Sequence, residues 1–161
     1  KFRKALAWAE SQVIAPEWVV VPDKVLDMTA TFSLWHDWAP AIRGEKAFAV
    51  QDGMVPSDLA LEGVEPDVIF VGGSPAWKRK SLPSWVNHHP RVHVGQINSG
   101  AGLQFCSALG AESVDGTGFF RGDRRQLSAL MAFLAQQANP ERPIPTMYPD
   151  RQIPLSLEGG K

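Results

Sequence analysis

The sequence predicts an α/β fold, a partial or complete (β/α)8 TIM-type barrel with about five strand-helix units. Three observations carry that expectation. Short β-branched runs recur along the chain, a segment with helical spacing of apolar residues follows each run, and each run ends in small or polar residues. An uninterrupted apolar run is how a strand covered on both faces reads, and a polar tip is how a parallel barrel delivers chemistry to its mouth. Residues 67–122 show the pattern most fully. They contain Asp-Val-Ile-Phe-Val-Gly-Gly-Ser, then Arg-Val-His-Val-Gly-Gln-Ile-Asn-Ser-Gly, then Ala-Glu-Ser-Val-Asp-Gly-Thr-Gly. Five units suit the second half of a closed eight-stranded barrel, and an open doubly wound sheet is the alternative.

Phe2, Ala5, Leu6, Ala9 and Val13 follow helical spacing from the outset, so the chain is expected to begin inside a helix with preceding strands missing. Residues 18–21 form the first strand, ended by Pro22-Asp23. Asp27 is placed to cap a helix that carries Thr31, Leu34, Trp35, Trp38 and Ile42 and closes at Pro40 and Gly44. The second strand covers 46–50 and ends in Gln51-Asp52-Gly53, and Pro56 opens a short helix. The third covers 68–71, ends in Gly72-Gly73-Ser74, and leads into a helix over 75–86. The fourth covers 91–94 with Gly95-Gln96-Ile97-Asn98 at its tip. Ser99 then caps a helix with Leu103, Cys106 and Leu109 inward, and Gly110 stops it. Ser113-Val114 is a brief fifth strand that runs into Asp115. Leu127, Leu130, Met131 and Leu134 mark a last amphipathic helix. Residues 1–139 thus form the barrel portion, and 140–161, with four prolines between Pro140 and Pro149, an extended C-terminal arm.

Sixteen Lys and Arg against 17 Asp and Glu leave a net charge of −1, so no global field recruits a polyanion. The one cysteine, Cys106, excludes an internal disulfide and any all-cysteine metal cage within the chain. A reducing, cytoplasmic location is expected, with no membrane partner, because no apolar run approaches the roughly 20 residues that span a bilayer. His36, His88, His89 and His93 match no familiar metal-ligand spacing, and neither a metal nor another cofactor is expected.

Asp23, Gln51, Asp52, Gly72, Gly73, Asn98 and Asp115 fall at predicted carboxyl ends of strands, which a barrel gathers around one mouth. A carboxylate there serves as nucleophile or base, and equally as a helix cap or turn closure. Asp115 is the foremost candidate, because the glycines after it let a substrate approach the backbone. Residues 95–102 combine glycines, Asn98 and Ser99 ahead of a helix, an arrangement able to hold a phosphate on backbone amides. Lys78, Arg79 and Lys80 follow Trp77 beside the mouth, and Arg121, Arg124 and Arg125 follow the last strand. They are candidates for contact with a nucleic-acid backbone, or simply a solvated helix face. Trp8, Trp35 and Trp38 read as packing residues.

Taken in order, the tips Val-Pro-Asp at Asp23, Val-Gln-Asp-Gly at Gln51, Val-Gly-Gly at Gly72 and Gly73, and Gly-Ala-Glu-Ser-Val-Asp-Gly at Asp115 resemble the tRNA-guanine transglycosylase superfamily. The resemblance covers roughly residues 18–118 and is closer to small phage and bacterial relatives without a zinc subdomain. It implies that Asp115 is a nucleophile that forms a covalent glycosyl intermediate. Asp23 and Gln51 would then read the edge of a purine or 7-deazapurine such as guanine or queuine, with Gly73 offering backbone groups. The three-cysteine, one-histidine zinc motif of the tRNA enzymes is absent, as is their early Asp-x-Gly segment. The acceptor is therefore open among tRNA, DNA and a free nucleotide, and another chain, as in a homo-oligomer, is one way to complete the wall of the mouth. A non-catalytic nucleotide-binding or base-binding module, and a phosphate-binding small-molecule enzyme, are the alternatives.

Overall fold

The structure is a computed structural model that describes residues 1–121 and 124–139; the proposed arm at 140–161 lies outside the described residues. The chain order is α1 (Phe2–Glu10), β1 (Trp18–Val20), α2 (Met28–Trp38), β2 (Glu45–Val50), α3 (Pro56–Leu61), β3 (Val68–Val71), α4 (Pro75–His88), β4 (Val92–Val94), α5 (Gly100–Leu109), β5 (Ser113–Val114) and α6 (Arg124–Ala138). Short 3-10 turns cover Ala39–Ala41 and Gly118–Phe120. The helix starts obey local chemistry. Asp27 accepts from the Ala30 N–H at α2, Ser74 from Trp77 at α4, and Ser99 from Gly102 at α5.

The five strands form one sheet in the order β1-β2-β3-β4-β5, and every neighbouring pair is parallel. An open doubly wound sheet reverses its strand order at a switch point. This one does not, and it curls into a half-barrel alternating with helices. Side-chain contacts measure the curl. Trp18 on β1 and His93 on β4 are three strands apart, about 14 Å at the usual strand spacing, yet their rings meet with centroids 4.9 Å apart.

Alternation along each strand sorts the residues into two faces. Val19, Phe48, Val50, Ile69, Val71, Val92, Val94 and Val114 join the core with Phe32 and Trp35 of α2, Leu59 of α3, Leu82 and Trp85 of α4 and Cys106 of α5. The other face carries Trp18, Phe70 and His93, stacked edge and face on one another. At the amino-terminal ends of the strands, Arg91 binds Glu17, Glu45 and Glu112, joining β1, β2, β4 and β5 across that concave face. No helix among the described residues is long and apolar enough to cross a membrane.

Three readings of apolar residues are corrected. The first helix stops at Glu10, and Val13 lies exposed beyond it, because the Ser11 hydroxyl and the Gln12 amide both donate to the Trp8 carbonyl, at 2.7 and 2.8 Å. Trp35 is buried and Trp38 packs edge-on against Phe2, but Trp8 is 67% exposed. In α6 the inward face is set by close approach to α5, where Gly100 leaves room for Ala129. Leu130 is half-buried with Ala129, while Leu127, Met131 and Leu134 face solvent.

Candidate active site

Asp115 continues the β5 ladder past its last residue. Its N–H donates to the Val94 carbonyl at 3.2 Å, and its own carbonyl accepts from the Ile97 N–H at 2.6 Å. The strand therefore presents the carboxylate at the tip, where it is half exposed (51%). Each carboxylate oxygen has a donor. Oδ1 accepts from the Gln96 N–H at 2.9 Å, and Oδ2 lies 3.1 Å from Nε2 of His93. Gln96 is held at φ 59°, a conformation unusual for a side-chain-bearing residue. It directs that N–H at Asp115.

His93 is buried, and its other nitrogen, Nδ1, lies 2.8 Å from the Ser113 hydroxyl. A carboxylate only accepts hydrogen bonds, so Nε2 carries the proton toward Asp115. In the neutral ring Nδ1 then accepts from Ser113. The chain of groups is Ser113, His93, Asp115, with the serine deeper and the carboxylate outermost. A serine-hydrolase triad runs the other way, with its carboxylate buried and its hydroxyl facing substrate. The chemistry this arrangement offers is that of a carboxylate nucleophile or base.

The remaining strand tips do different work. Gln51, 4% exposed, accepts from the Leu26 N–H and donates to the Lys24 carbonyl at 3.0 Å and the Thr31 hydroxyl at 3.2 Å. Its amide is thus spent on shaping the loop after β1, and the same Nε2 reaches Oδ2 of Asp23 at 3.5 Å. Asp23 itself is exposed. Asp52 accepts from the Ser74 N–H at 2.6 Å and the Ser74 hydroxyl at 2.5 Å, clasping the β2 tip to the start of α4. The Ser74 hydroxyl and N–H hold the Asp52 carboxyl below its ordinary value, with a smaller pull from Lys78. Gly73, at φ 77°, leaves the room this clasp needs, and Gly72 sits beside it at the β3 end. Asn98 accepts from the Gly118 N–H at 2.7 Å and donates to the Gln96 carbonyl at 3.3 Å, stapling the two loops that flank Asp115.

Lys78, Arg79 and Lys80 do not form one strip. The Lys78 side chain is buried and its ammonium donates to the Gly95 carbonyl at 2.6 Å, inside the loop that carries Gln96. Burial pulls its pKa down, and Asp115, Cys106 and Asp52 partly restore it. Arg79 lies over the Phe105 ring, 4.9 Å from its centroid, and Lys80 faces solvent. A pocket of about 160 Å³ between α4 and α5 is lined by Lys78, Arg79, Gln96, Asn98, Ser99 and Cys106, among others. Among the described residues no group of three His, Cys, Asp or Glu side chains is arranged to hold a metal ion.

His93 and Ser113 are the site residues that sequence reasoning passed over. Ser113 and Asp115 are two apart and so share a face of β5, a signal that is legible. The register that sets His93 opposite Ser113 is a property of the folded sheet. No protein-family model matches this chain, and comparison with curated proteins and with solved structures finds no match. What defines the protein is therefore its architecture and its site, an α/β half-barrel with an oriented carboxylate at the carboxyl ends of its strands.

Proposed function

We propose that the protein is a base-exchange transglycosylase acting on the N-glycosidic bond of a purine or 7-deazapurine nucleoside in nucleic acid or a nucleotide. The observation that carries this reading is the Asp115 carboxylate, half exposed at the strand tips with a separate donor on each oxygen. A carboxylate so held is oriented for attack without being buried from its substrate. In the proposed reaction an Asp115 oxygen forms a bond to the anomeric carbon as the carbon–nitrogen bond breaks, and the departing base leaves with that electron pair and takes up a proton. The incoming base gives up its own ring N–H proton, its nitrogen attacks the same carbon, and the Asp115 carboxylate is released. Exchange balances with no oxidant or reductant.

Asp23 is the base reader in this scheme. It is exposed at the β1 tip and, as a carboxylate, accepts from the ring N–H and amino group on the edge of a guanine-like base. Gln51 contributes by holding the loop around Asp23. A pocket that pairs polar groups in this way rejects a base lacking them, because its acceptors are then left unsatisfied.

The test is Asp115→Asn, assayed by incorporation of labelled guanine into tRNA and into DNA and by trapping of a protein-nucleic acid adduct on a denaturing gel. The expected result is a folded protein that forms no adduct and exchanges no base; full exchange by the variant would sink the assignment. Thermal stabilisation by guanine or 7-deazaguanine that vanishes in Asp23→Ala supports the reader role. Binding with no turnover in wild type would leave a base-binding module in its place. A second reading, a phosphate-binding enzyme of small-molecule metabolism, draws on the pocket where Lys78, Arg79 and Ser99 meet. Protection by inorganic phosphate with none by guanine would favour it.

A further inference from the structure

We propose that His93 and Ser113 form a positioning relay that holds one oxygen of Asp115 in its attacking orientation, and that formation of the covalent intermediate requires the Nε2–H tautomer of His93. The inference rests on the transglycosylase reading above and adds to it a residue pair, a protonation state and a cause.

The His93 imidazole is fixed in both plane and rotation. Its plane is pinned on the concave face by Phe70, stacked at 5.0 Å with 24° between planes, and by Trp18, edge-on at 4.9 Å. Rotation about its own axis is settled by the two hydrogen bonds, 2.8 Å from Nδ1 to Ser113 and 3.1 Å from Nε2 to Asp115. A flipped ring would set carbon atoms against both partners. The Ser113 hydroxyl both donates and accepts, so it suits either tautomer. The Asp115 carboxylate accepts only and selects the one with its proton on Nε2.

The carboxylate in turn is fixed at both oxygens, by a backbone donor on Oδ1 and by this side chain on Oδ2. With the backbone donor alone, a single hydrogen bond at Oδ1 opposes rotation about the Cβ–Cγ bond, and Oδ2 keeps some freedom to swing away from the reacting carbon. His93 removes that freedom. It does not itself meet the substrate in this scheme, since its Nε2–H is engaged by Asp115 and its ring is buried beneath. It is a positioning residue, and a hydrogen bond to a charged group of this kind corresponds to a rate effect of about 10- to 100-fold.

The experiment uses the full chain and has two arms. Nitrogen-15 NMR of histidine-labelled protein at a pH where the ring is neutral reads the tautomer without substrate. The expected spectrum has a protonated Nε2 and a bare Nδ1 for His93, with the selection relaxed in Asp115→Ala. A protonated Nδ1 in wild type overturns the relay. The kinetic arm follows labelled-guanine exchange. His93→Leu is expected to lower kcat by about 10- to 100-fold with KM little changed. His93→Gln, which keeps an N–H donor, is expected to recover much of that loss. A packing role alone predicts no such split and no rescue by glutamine. Should His93→Leu fail to fold, Ser113→Ala, which leaves the aromatic floor and Asp115 intact, is expected to keep the Nε2–H tautomer but to loosen the ring and lower kcat. If Asp115→Asn abolishes exchange while the His93 and Ser113 variants match wild type, the relay alone is wrong. If Asp115→Asn retains exchange, the nucleophile assignment falls and takes the relay's catalytic consequence with it.

Discussion

Gly73 and Asp52 show how closely single residues set the mouth. A Cβ on Gly73 would stand 2.3 Å from Oδ2 of Asp52 and 2.9 Å from the Trp77 ring, and its φ of 77° disfavours any side chain. Gly73→Ala is therefore expected to cost about 1–3 kcal/mol in urea unfolding, through strain and a displaced Asp52. The Asp52 carboxyl titrates below its unfolded value of 3.8, chiefly because of the two Ser74 hydrogen bonds. A depressed carboxyl contributes stability that is fully present above the unfolded value and is lost as pH falls through the folded one. Wild type and Asp52→Asn should accordingly differ in Tm near neutrality and converge as the pH is taken below 3.8. Parallel curves would place the origin of the acid sensitivity elsewhere.

Strand ends are tied at both extremities, by different means. At the carboxyl ends the ties are neutral or single-charge hydrogen bonds, Gln51 to the loop after β1, Asp52 to Ser74, and Asn98 to Gly118. At the amino ends they are ionic, with Arg91 of the β3-to-β4 side meeting Glu17, Glu45 and Glu112. Its side chain is 26% exposed and those of its partners 74%, 47% and 34%, so solvent and salt weaken each pair. Arg91→Leu is expected to lower the urea midpoint slightly at low ionic strength, and by less in 1 M salt. A loss that does not respond to salt would mean that Arg91 acts by packing its stem instead.

Across the molecule, the curled sheet gathers its apolar helix-side face into one core centred on β2 and β3. Phe48 is the clearest reporter. It is 1% exposed, stacks on Phe32 at 5.1 Å and meets Trp35 at 5.5 Å, joining the sheet to α2. Phe48→Ala is expected to cost about 3–5 kcal/mol and to lower the urea midpoint for the sheet and α2 together. Separate transitions by fluorescence and circular dichroism would show that the half-barrel does not unfold as one unit.

Much of this was legible before any coordinates. Short apolar runs of two to six residues and their polar tips located all five strands, since a parallel strand covered on both faces reads as apolar nearly throughout. Asp27, Ser74 and Ser99 announced helix starts because a short polar side chain before a helix satisfies its free N–H groups. These signals are local, written within four residues of where they act. The bearing of α6 was not legible, because which of its apolar residues turn inward depends on Gly100 meeting Ala129 across a helix pair. Nor was the fate of Lys78, whose four-carbon stem reaches back to Gly95 instead of out to solvent. The pairing of His93 with Ser113 and Asp115 belongs to the same class. It requires a parallel register between β4 and β5, and a curl that brings Trp18 over the ring from three strands away. Composition and periodicity say which face of a strand a residue occupies; only the closed set of contacts says what it faces.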